Sequence, residues 1–190
     1  MSVKVLLFAG SNRAGSVNVQ LAHAANKILA DNGALTTMIS LADYPLPILD
    51  EDWHKENGDP ANALKLARQF AAHDAVFIAA PEYNSSITPL LKNTLDWLSV
   101  IKADPKPYAG LTVALGAASP GALGGIRGLY HLRSVLMNVG AQIITEQAAV
   151  SNAGNAFGDD GLPTNERTLG MLQSTCKALM AHATPGRGRG

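Results

Sequence analysis

The sequence predicts an α/β fold, in which one parallel five-stranded sheet is covered by helices on both faces. Five short apolar segments alternate with five segments that have helical periodicity, which is typical of such a sheet. Hydrophobic residues make up 47% of the 190-residue chain and charged residues 16%, a balance that suits strands buried on both sides. Right-handed crossovers between parallel strands place the connecting helices on both faces.

The first half of the chain contains two of these units. Residues 3–9 form an apolar strand, a polar segment follows from Gly10, and residues 17–28 have apolar side chains at helical spacing. Residues 34–41 are the second predicted strand. A long irregular passage with two prolines covers residues 42–60, and residues 61–72 return to helix.

The second half repeats the alternation. Strands are predicted at residues 74–80 and 111–115, and a fifth within residues 142–150. Helices are predicted at residues 88–99, along the apolar face of residues 129–139, and at residues 164–182, with a glycine-rich loop at residues 116–125. Five strands favour the flavodoxin-like order 2-1-3-4-5, whose ligands bind beyond the carboxyl ends of the strands. We expect one domain over residues 1–183 and a disordered tail over residues 184–190.

Charge and cysteine content exclude several classes of partner. Lys+Arg and Asp+Glu are both 15, so we expect neither nucleic acid nor a membrane surface as a partner. The single cysteine, Cys176, excludes an intrachain disulfide and lies at helical spacing with Leu172 and Leu179, which favours core packing. With no signal peptide and no apolar run long enough to cross a bilayer, we expect a cytoplasmic protein.

The loop after the first strand has the chemistry of an anion site. A loop that opens a helix offers unpaired backbone N–H groups and the positive end of the helix dipole. Ser11, Ser16 and Asn18 add neutral polar side chains, and Arg13 adds a guanidinium. Ser16-Val17 stands where a P-loop needs Lys and Ser/Thr, so the loop is not a P-loop. The alternative is that Gly10 only permits a turn and that Ser16 or Asn18 only caps the helix.

Two more loops follow strands at the same edge of the predicted sheet. Pro81, Glu82, Tyr83 and Asn84 end the third strand, where backbone groups could contact a flat heteroaromatic ligand and Tyr83 could pack beside it. The alternative is a proline turn with a partly buried tyrosine. The glycine-rich loop after the fourth strand allows close backbone approach to a ligand, although its glycines could serve only the bend.

Other chemistries lack support in the sequence. The five histidines have no metal-ligand spacing, and Ala117 breaks the G-x-S-x-G elbow around Ser119. Glu82 and Asp96 have no spacing that would pair them as acid and base, so we interpret Glu82 as loop-forming and Asp96 as a helix-surface or subunit-contact residue. Trp97 could belong to the core or to an interface.

Three motifs together resemble the NADPH-dependent FMN reductase family, a flavodoxin-like group of chromate, quinone, azo and ferric reductases. Residues 10–18 match the family pattern G-S-x-R-x-x-S-x-N. Residues 81–97 match P-E-Y-N-x-S-x-x-x-x-L-K-N-x-x-D-W. The third match is Gly124-Gly125-Ile126-Arg127, followed by Leu132-Arg133.

The resemblance implies a role for each matching residue. The FMN phosphate would contact Ser11, Arg13, Ser16, Val17 and Asn18. The isoalloxazine ring would contact Pro81, Glu82, Tyr83 and Asn84, and Ser119 would contact the flavin from the fourth-strand loop. Some relatives carry an arginine after the D-W-x-S segment, where this chain has Val100, Ile101 and Lys102, so a substrate-side contact would fall to Lys102 if to any residue.

The activity implied is an NAD(P)H-dependent FMN oxidoreductase. Hydride would pass from NADPH or NADH to FMN N5 and then, in ping-pong turnover, to a small-molecule acceptor such as a quinone, chromate, a ferric complex or an azo compound. No catalytic side chain and no metal are needed, and a homodimer or homotetramer is implied. The alternative is a flavodoxin-like FMN electron carrier or redox-responsive binding protein, although the chain has no acidic excess for a carrier's docking surface.

Overall fold

Strands and helices alternate along the chain in the order that the apolar pattern predicts. The computed structural model describes residues 2–186. In chain order the elements are β1 (Lys4–Ala9), α1 (Val17–Asp31), β2 (Leu35–Met38), α2 (Glu51–Asn57), α3 (Ala61–Ala72), β3 (Ala75–Ala79), β4 (Glu82–Tyr83), β5 (Ser86–Ile87), α4 (Pro89–Val100), β6 (Thr112–Ala118), α5 (Ile126–Asn138), β7 (Gln142–Val150) and α6 (Glu166–His182).

The main sheet has five parallel strands in the order β2-β1-β3-β6-β7. Counted within this sheet alone, the order is 2-1-3-4-5, so the predicted flavodoxin-like fold class and strand order are confirmed. In the sheet, β2 lies on one side of β1 and β3 lies on the other. The crevice where an open sheet of this kind binds ligands therefore lies beyond the carboxyl ends of β1 and β3.

Each face of the sheet has its own hydrophobic core, because successive side chains of a strand point to opposite faces. On β1, Leu6 and Phe8 pack with α3, α4 and α5, whereas Val5, Leu7 and Ala9 pack with α1 and α6. The prediction of helices on both faces is confirmed. Because both faces of the sheet are buried, the register of the strands is fixed. The loops at the strand ends therefore begin and end on a rigid sheet.

Trp97 and Cys176 are both in the core. The sequence left the environment of Trp97 open between core and interface, and it favoured core packing for Cys176. The Trp97 side chain on α4 is fully buried, and its indole N–H donates to the carbonyl of Pro47 at 2.7 Å. Cys176 on α6 is 1% exposed, as its helical spacing predicts. Trp97 therefore belongs to the core of this chain rather than to an interface.

Several boundaries differ from the prediction: β2 ends at Met38 rather than at residue 41, α5 begins at Ile126 rather than at residue 129, and two larger differences concern β6 and α2. The fourth strand of the sheet, β6, continues through Ala118, whereas the sequence predicted an end at Leu115 and a loop from Gly116. Gly116, Ala117 and Ala118 have weak strand propensity, but they are buried and pair with β7, and this pairing outweighs propensity. The passage predicted as irregular contains α2, whose first turn is capped by the Asp50 carboxylate.

The C-terminal end follows α6. Of the predicted tail, residues 184–186 lie beside the sheet, where the N–H of Gly186 donates to Asp74 Oδ1 at 2.8 Å. Residues 187–190 lie outside the described part of the chain. Within residues 2–186, none of the helices is both long and apolar enough to span a bilayer.

Candidate active site

The segment from Gly10 to Asn18, here called the β1 loop, joins the end of β1 to the first two residues of α1. Gly15 has φ +67°, a left-handed conformation that favours glycine. Ser16 is the N-cap of α1 but makes no side-chain capping bond, and its hydroxyl is 3% exposed with no partner among residues 2–186. The N–H groups of Val17 and Asn18 likewise have no partner within the described chain. Open donors at a helix N-terminus have the chemistry that an anion requires.

The Asn18 side chain connects the β1 loop to the sheet. It is 3% exposed, its Nδ2 donates to the Ala118 carbonyl at 2.8 Å, and its Oδ1 accepts from the Ala118 N–H at 2.9 Å. This pair of bonds fastens the β1 loop to the end of β6. One N–H of the amide and its oxygen are engaged by Ala118, which leaves the second side-chain N–H and the backbone N–H of Asn18 open to an anion.

Thr88 holds the β1 loop from the other side, a role that the sequence analysis missed. Its hydroxyl donates to the Gly10 carbonyl at 2.8 Å and accepts from the Leu91 N–H at 3.3 Å, so it caps α4 and fixes the start of the loop. Thr88 is buried. A threonine directly before a proline at a helix start is a local capping signal, but nothing in the sequence indicates the bond to Gly10.

The segment after β3 folds into an antiparallel hairpin formed by β4 and β5. Asn84 and Ser85 occupy its turn with φ of 49° and 66°, and two consecutive positive φ angles are typical of a type I′ turn. His131 of α5 is hydrogen-bonded to the Ser86 hydroxyl at 3.0 Å. Tyr83 remains 56% exposed beside the β1 loop.

The Glu82 carboxylate anchors this hairpin to α5. It accepts from Arg127 Nη2 at 2.7 Å, from Arg127 Nε at 3.1 Å and from the Gly128 N–H at 3.0 Å. Burial by itself would raise the pKa of Glu82, but these hydrogen bonds and the nearby guanidinium outweigh it and hold the pKa below its ordinary value. Glu82 is thus an ionised anchor, in agreement with the interpretation of it as loop-forming. Arg127 belongs to the third motif, but no local pattern indicates its partner.

The glycine-rich segment brings the start of α5 close to the sheet. Gly125 has φ +86°, and a Cβ there would lie 2.7 Å from the Cβ of Ala117. The Ser119 hydroxyl accepts from the Gly121 N–H at 3.2 Å. This bond closes a turn in the loop after β6, beside the β1 loop. The glycines therefore serve both the bend and a close approach of helix to strand.

These three loops surround one cleft, which has a volume of about 110 Å³. It is lined by Ser11, Arg13, Ser16, Val17, Asn18, Pro81, Glu82, Tyr83, Ala118, Ser119 and Pro120. Of the residues that the resemblance selects, only Asn84 does not line it, since Asn84 lies at the tip of the hairpin turn. The topology thus brings together residues from three separate loops at the crevice beyond β1 and β3.

Three residues near the motifs lie outside the cleft. Asp96 forms an ion pair with Lys92 on the outer side of α4, at 2.7 Å, and takes no part in the cleft. Lys102 lies beyond α4, where its backbone N–H donates to Asp59 Oδ2 at 3.3 Å. Arg133 donates to the Ile144 carbonyl at 2.8 Å, where the register of β7 shifts, and so satisfies a backbone group of that strand.

The cleft residues fit an FMN group. The buried Ser16 hydroxyl and the open N–H groups of the β1 loop need an acceptor, which a phosphate supplies. Arg13 is exposed beside them, and its two contacts to the Ala14 and Gly15 carbonyls are long, at 3.4 and 3.5 Å. The hairpin and Ser119 lie on the far side of the cleft, where a flat ring attached to that phosphate would be placed.

Comparison with known proteins identifies the family of the chain. A model of the NADPH-dependent FMN reductase family matches residues 3–155. The chain is 38% identical to a quinone reductase of Escherichia coli (strain K12) over 76% of this chain and 74% of that protein. It is 32% identical to an NAD(P)H-dependent FMN reductase of Pseudomonas aeruginosa, over 93% of each.

A solved structure shares the fold. The flavoenzyme NAD(P)H:(acceptor) oxidoreductase FerB from Paracoccus denitrificans superposes with a TM-score of 0.78 at 24% identity, covering 96% of this chain and all of that one. The family match covers all three loops of the cleft, and the resemblance stated from the motifs is confirmed. The chain belongs to the NADPH-dependent FMN reductase family of oxidoreductases, which use FMN together with NAD(P)H.

Proposed function

We propose that this protein is a quinone reductase that works by ping-pong turnover on FMN held in the cleft. The observation that carries the proposal is the combination of open donors in the β1 loop with a firmly anchored hairpin facing them. Quinones are preferred as acceptors because relatives at 32–38% identity are named for quinone or FMN reduction. Chromate, ferric complexes and azo compounds are further small oxidants that an open flavin site could reduce.

The β1 loop binds the phosphate end of the cofactor in this proposal. Ser16, the N–H groups of Val17 and Asn18, and the Ser11 side chain donate hydrogen bonds, and Arg13 contributes positive charge. The side chain of Asn18 holds the loop on Ala118 so that these donors stay in place. The phosphate is therefore bound by local donors and one guanidinium, and the chain needs no net positive charge to bind it.

The hairpin and the β6 loop orient the ring. Pro81, Glu82 and Tyr83 line the cleft together with Ser119, and Asn84 would reach the ring from the hairpin turn. When bound, FMN supplies the redox chemistry by accepting hydride from NAD(P)H at N5 and passing electrons to the acceptor. The residues of this chain position the ring, exclude water from one side of it and leave the other side accessible. No side chain acts as a nucleophile or as an acid in this scheme.

The remaining expectations are proposals of the same kind. We propose a homodimer or homotetramer, because Tyr130 and Met137, which are 58% and 62% exposed, lie on one face of α5. A cytoplasmic location stays a prediction from the sequence, as does the single-domain assignment. We make no choice between NADH and NADPH, and a substrate contact by Lys102 remains a hypothesis.

An anaerobic reduction experiment tests the proposed function. The purified protein is loaded with FMN, its visible spectrum is recorded, and NADH or NADPH is added without oxygen. We expect the flavin absorbance to bleach and to return when a benzoquinone is added. Failure to bind FMN would overturn the proposal. Binding without bleaching would favour the alternative, an FMN electron carrier or redox-responsive binding protein.

A pair of arginine variants tests the phosphate role of the β1 loop. Arg13→Ala removes the charge beside the open donors, and we expect FMN to bind at least about tenfold more weakly, with a smaller salt dependence. Arg68→Ala, on the exposed side of α3, is the matched control and should leave the affinity unchanged. Equal affinity in the two variants would remove Arg13 from the site.

A further inference from the structure

A second cavity lies beyond the carboxyl ends of β1 and β2, on the other side of the β1 loop from the cleft. Its volume is about 340 Å³, within the range of small-molecule sites. We call it the β2-edge pocket. It is lined by Ala9, Ser11, Val19, His23, Met38, Ile39, Ser40 and Asp43.

The floor of the β2-edge pocket is apolar and comes from three elements. Ala9 ends β1, Val19 lies on α1, and Met38 ends β2. The side chains of Val19 and Met38 are half-buried and pack against the core on the α1 side of the sheet. Such a surface suits one face of a flat heteroaromatic ring.

Two polar side chains of the rim have no partner in the described part of the chain, whereas the hydroxyls of Ser11 and Ser40 accept backbone hydrogen bonds. Among residues 2–186, neither the Asp43 carboxylate nor the His23 ring has a hydrogen-bond partner, and both are exposed. His23 lies one helical turn after Val19, so the two share a face of α1. The Asp43 carboxylate and the His23 ring therefore make no side-chain hydrogen bond that stabilises residues 2–186. Both lie beside the apolar floor.

The position of Asp43 has a chemical meaning. It follows the second strand of a parallel sheet whose first strand ends in an anion-binding loop. In dinucleotide-binding sheets, an acidic side chain after the second strand accepts hydrogen bonds from the ribose hydroxyls of the nucleotide. A carboxylate, an apolar floor and an adjacent loop with open donors match the ribose, the adenine ring and the phosphate of an adenosine phosphate.

The β2-edge pocket adjoins the cleft at Ser11. Ser11 lines both cavities, so a ligand whose phosphate lies in the β1 loop can extend past Ser11 into the second one. We propose that the β2-edge pocket binds the adenosine group of a dinucleotide, carried by FAD or by NAD(P)H. This inference rests on the proposed flavin site.

Binding titrations with two ligands test the inference and separate the two sources. The flavin-free protein is titrated with FMN and with FAD, and the FMN-loaded protein is titrated with NAD⁺, which binds without reducing the flavin. Asp43→Asn removes the charge on the rim, and Met38→Trp fills the floor. The matched controls are Asp31→Asn at the end of α1 and Leu35→Trp at the exposed start of β2.

If FAD carries the adenosine group, wild type binds FAD more tightly than FMN, and Asp43→Asn weakens FAD binding about tenfold without changing FMN binding. If the nicotinamide nucleotide carries it, Asp43→Asn instead weakens NAD⁺ binding by a similar factor. Met38→Trp should have the larger effect in either case, and the controls none. Because Met38 is half-buried and its variant could fail to fold, the exposed Asp43 variant keeps the test decisive.

Two results would overturn the inference, and they differ in what else they affect. FMN binding with no change in FAD or NAD⁺ affinity in the folded Asp43→Asn variant removes the adenosine site alone. Absence of FMN binding in wild type removes the proposed function, and the inference falls with it.

Discussion

The β1 loop and the β4–β5 hairpin line the same cleft but treat their polar groups differently. In the β1 loop, the Ser16 hydroxyl and the N–H groups of Val17 and Asn18 have no partner in residues 2–186. In the hairpin, the Glu82 carboxylate accepts three hydrogen bonds, and Ser86 is bonded to His131. One region leaves its donors open, and the other engages its polar side chains with α5.

This difference separates binding from positioning. A buried polar group without a partner lowers stability, so open donors are retained where a ligand satisfies them. Groups that are already paired hold an element in place and gain little from a ligand. Substitutions in the β1 loop should therefore change ligand affinity, and substitutions in the hairpin should change the free energy of unfolding.

The strongest challenge to this division is Asn18, which belongs to the β1 loop but is paired like the hairpin. Asn18→Leu leaves the buried N–H and carbonyl of Ala118 without partners, and we expect a loss of about 4 kcal/mol in the free energy of unfolding. Urea unfolding of the flavin-free protein measures it. Gln20→Leu, an exposed position on the same helix, should cost less than about 0.5 kcal/mol. A loss below about 1 kcal/mol for Asn18→Leu would contradict the anchoring role.

The second prediction concerns Glu82, the anchor of the hairpin. Glu82→Ala removes the acceptor of the Gly128 N–H and of Arg127, and we expect a loss of about 2–3 kcal/mol in the same unfolding assay. Arg127→Ala should cost less, about 0.5–1 kcal/mol, because the guanidinium is half-exposed and the Gly128 bond survives. If the two variants lose equal stability, the ion pair rather than the backbone bond is the anchor.

Ser16 tests the opposite side of the comparison. Ser16→Ala removes a buried hydroxyl that has no protein partner, so the free energy of unfolding should change by less than about 0.5 kcal/mol. FMN binding should weaken about tenfold, which is about 1.4 kcal/mol. Fluorescence titration of FMN measures the affinity. A clear loss of stability with unchanged affinity would place Ser16 with the structural residues.

The smallest effect is the pH dependence of the hairpin anchor. Because the pKa of Glu82 in the folded protein lies below its ordinary value of 4.5, its stabilisation is present above that pH and is lost as the pH falls through the folded value. We expect the wild type to lose up to about 1 kcal/mol more than Glu82→Gln between pH 5 and pH 3. Parallel stability curves for the two proteins would show that the carboxylate charge contributes nothing.

The sequence predicted the sheet well because buried parallel strands read as unbroken apolar runs between helical patterns. It failed at β6, where Gly116 to Ala118 have no side-chain pattern, and at α2, which is charged and buries no side chain. In both places the local sequence is uninformative, and the surroundings decide the conformation.

For the site, the motifs selected residues that line one cleft, except for Asn84, but they did not indicate the hydrogen bonds that hold the loops together. The bond between Asn18 and Ala118 joins positions 100 residues apart, and that between Thr88 and Gly10 joins positions 78 apart. Local patterns carry no information on such pairs. Whether the selected residues touch FMN remains the prediction that the titrations above test.

The buried thiol of Cys176 is a natural probe of local opening at α6. Burial raises its pKa to about 12, so almost none of it is thiolate at neutral pH, and the surrounding side chains of α1 and α6 exclude reagents. It is also the only cysteine of the chain. The rate at which a thiol reagent labels the protein therefore reports how often α6 separates from the sheet, with and without a ligand in the cleft.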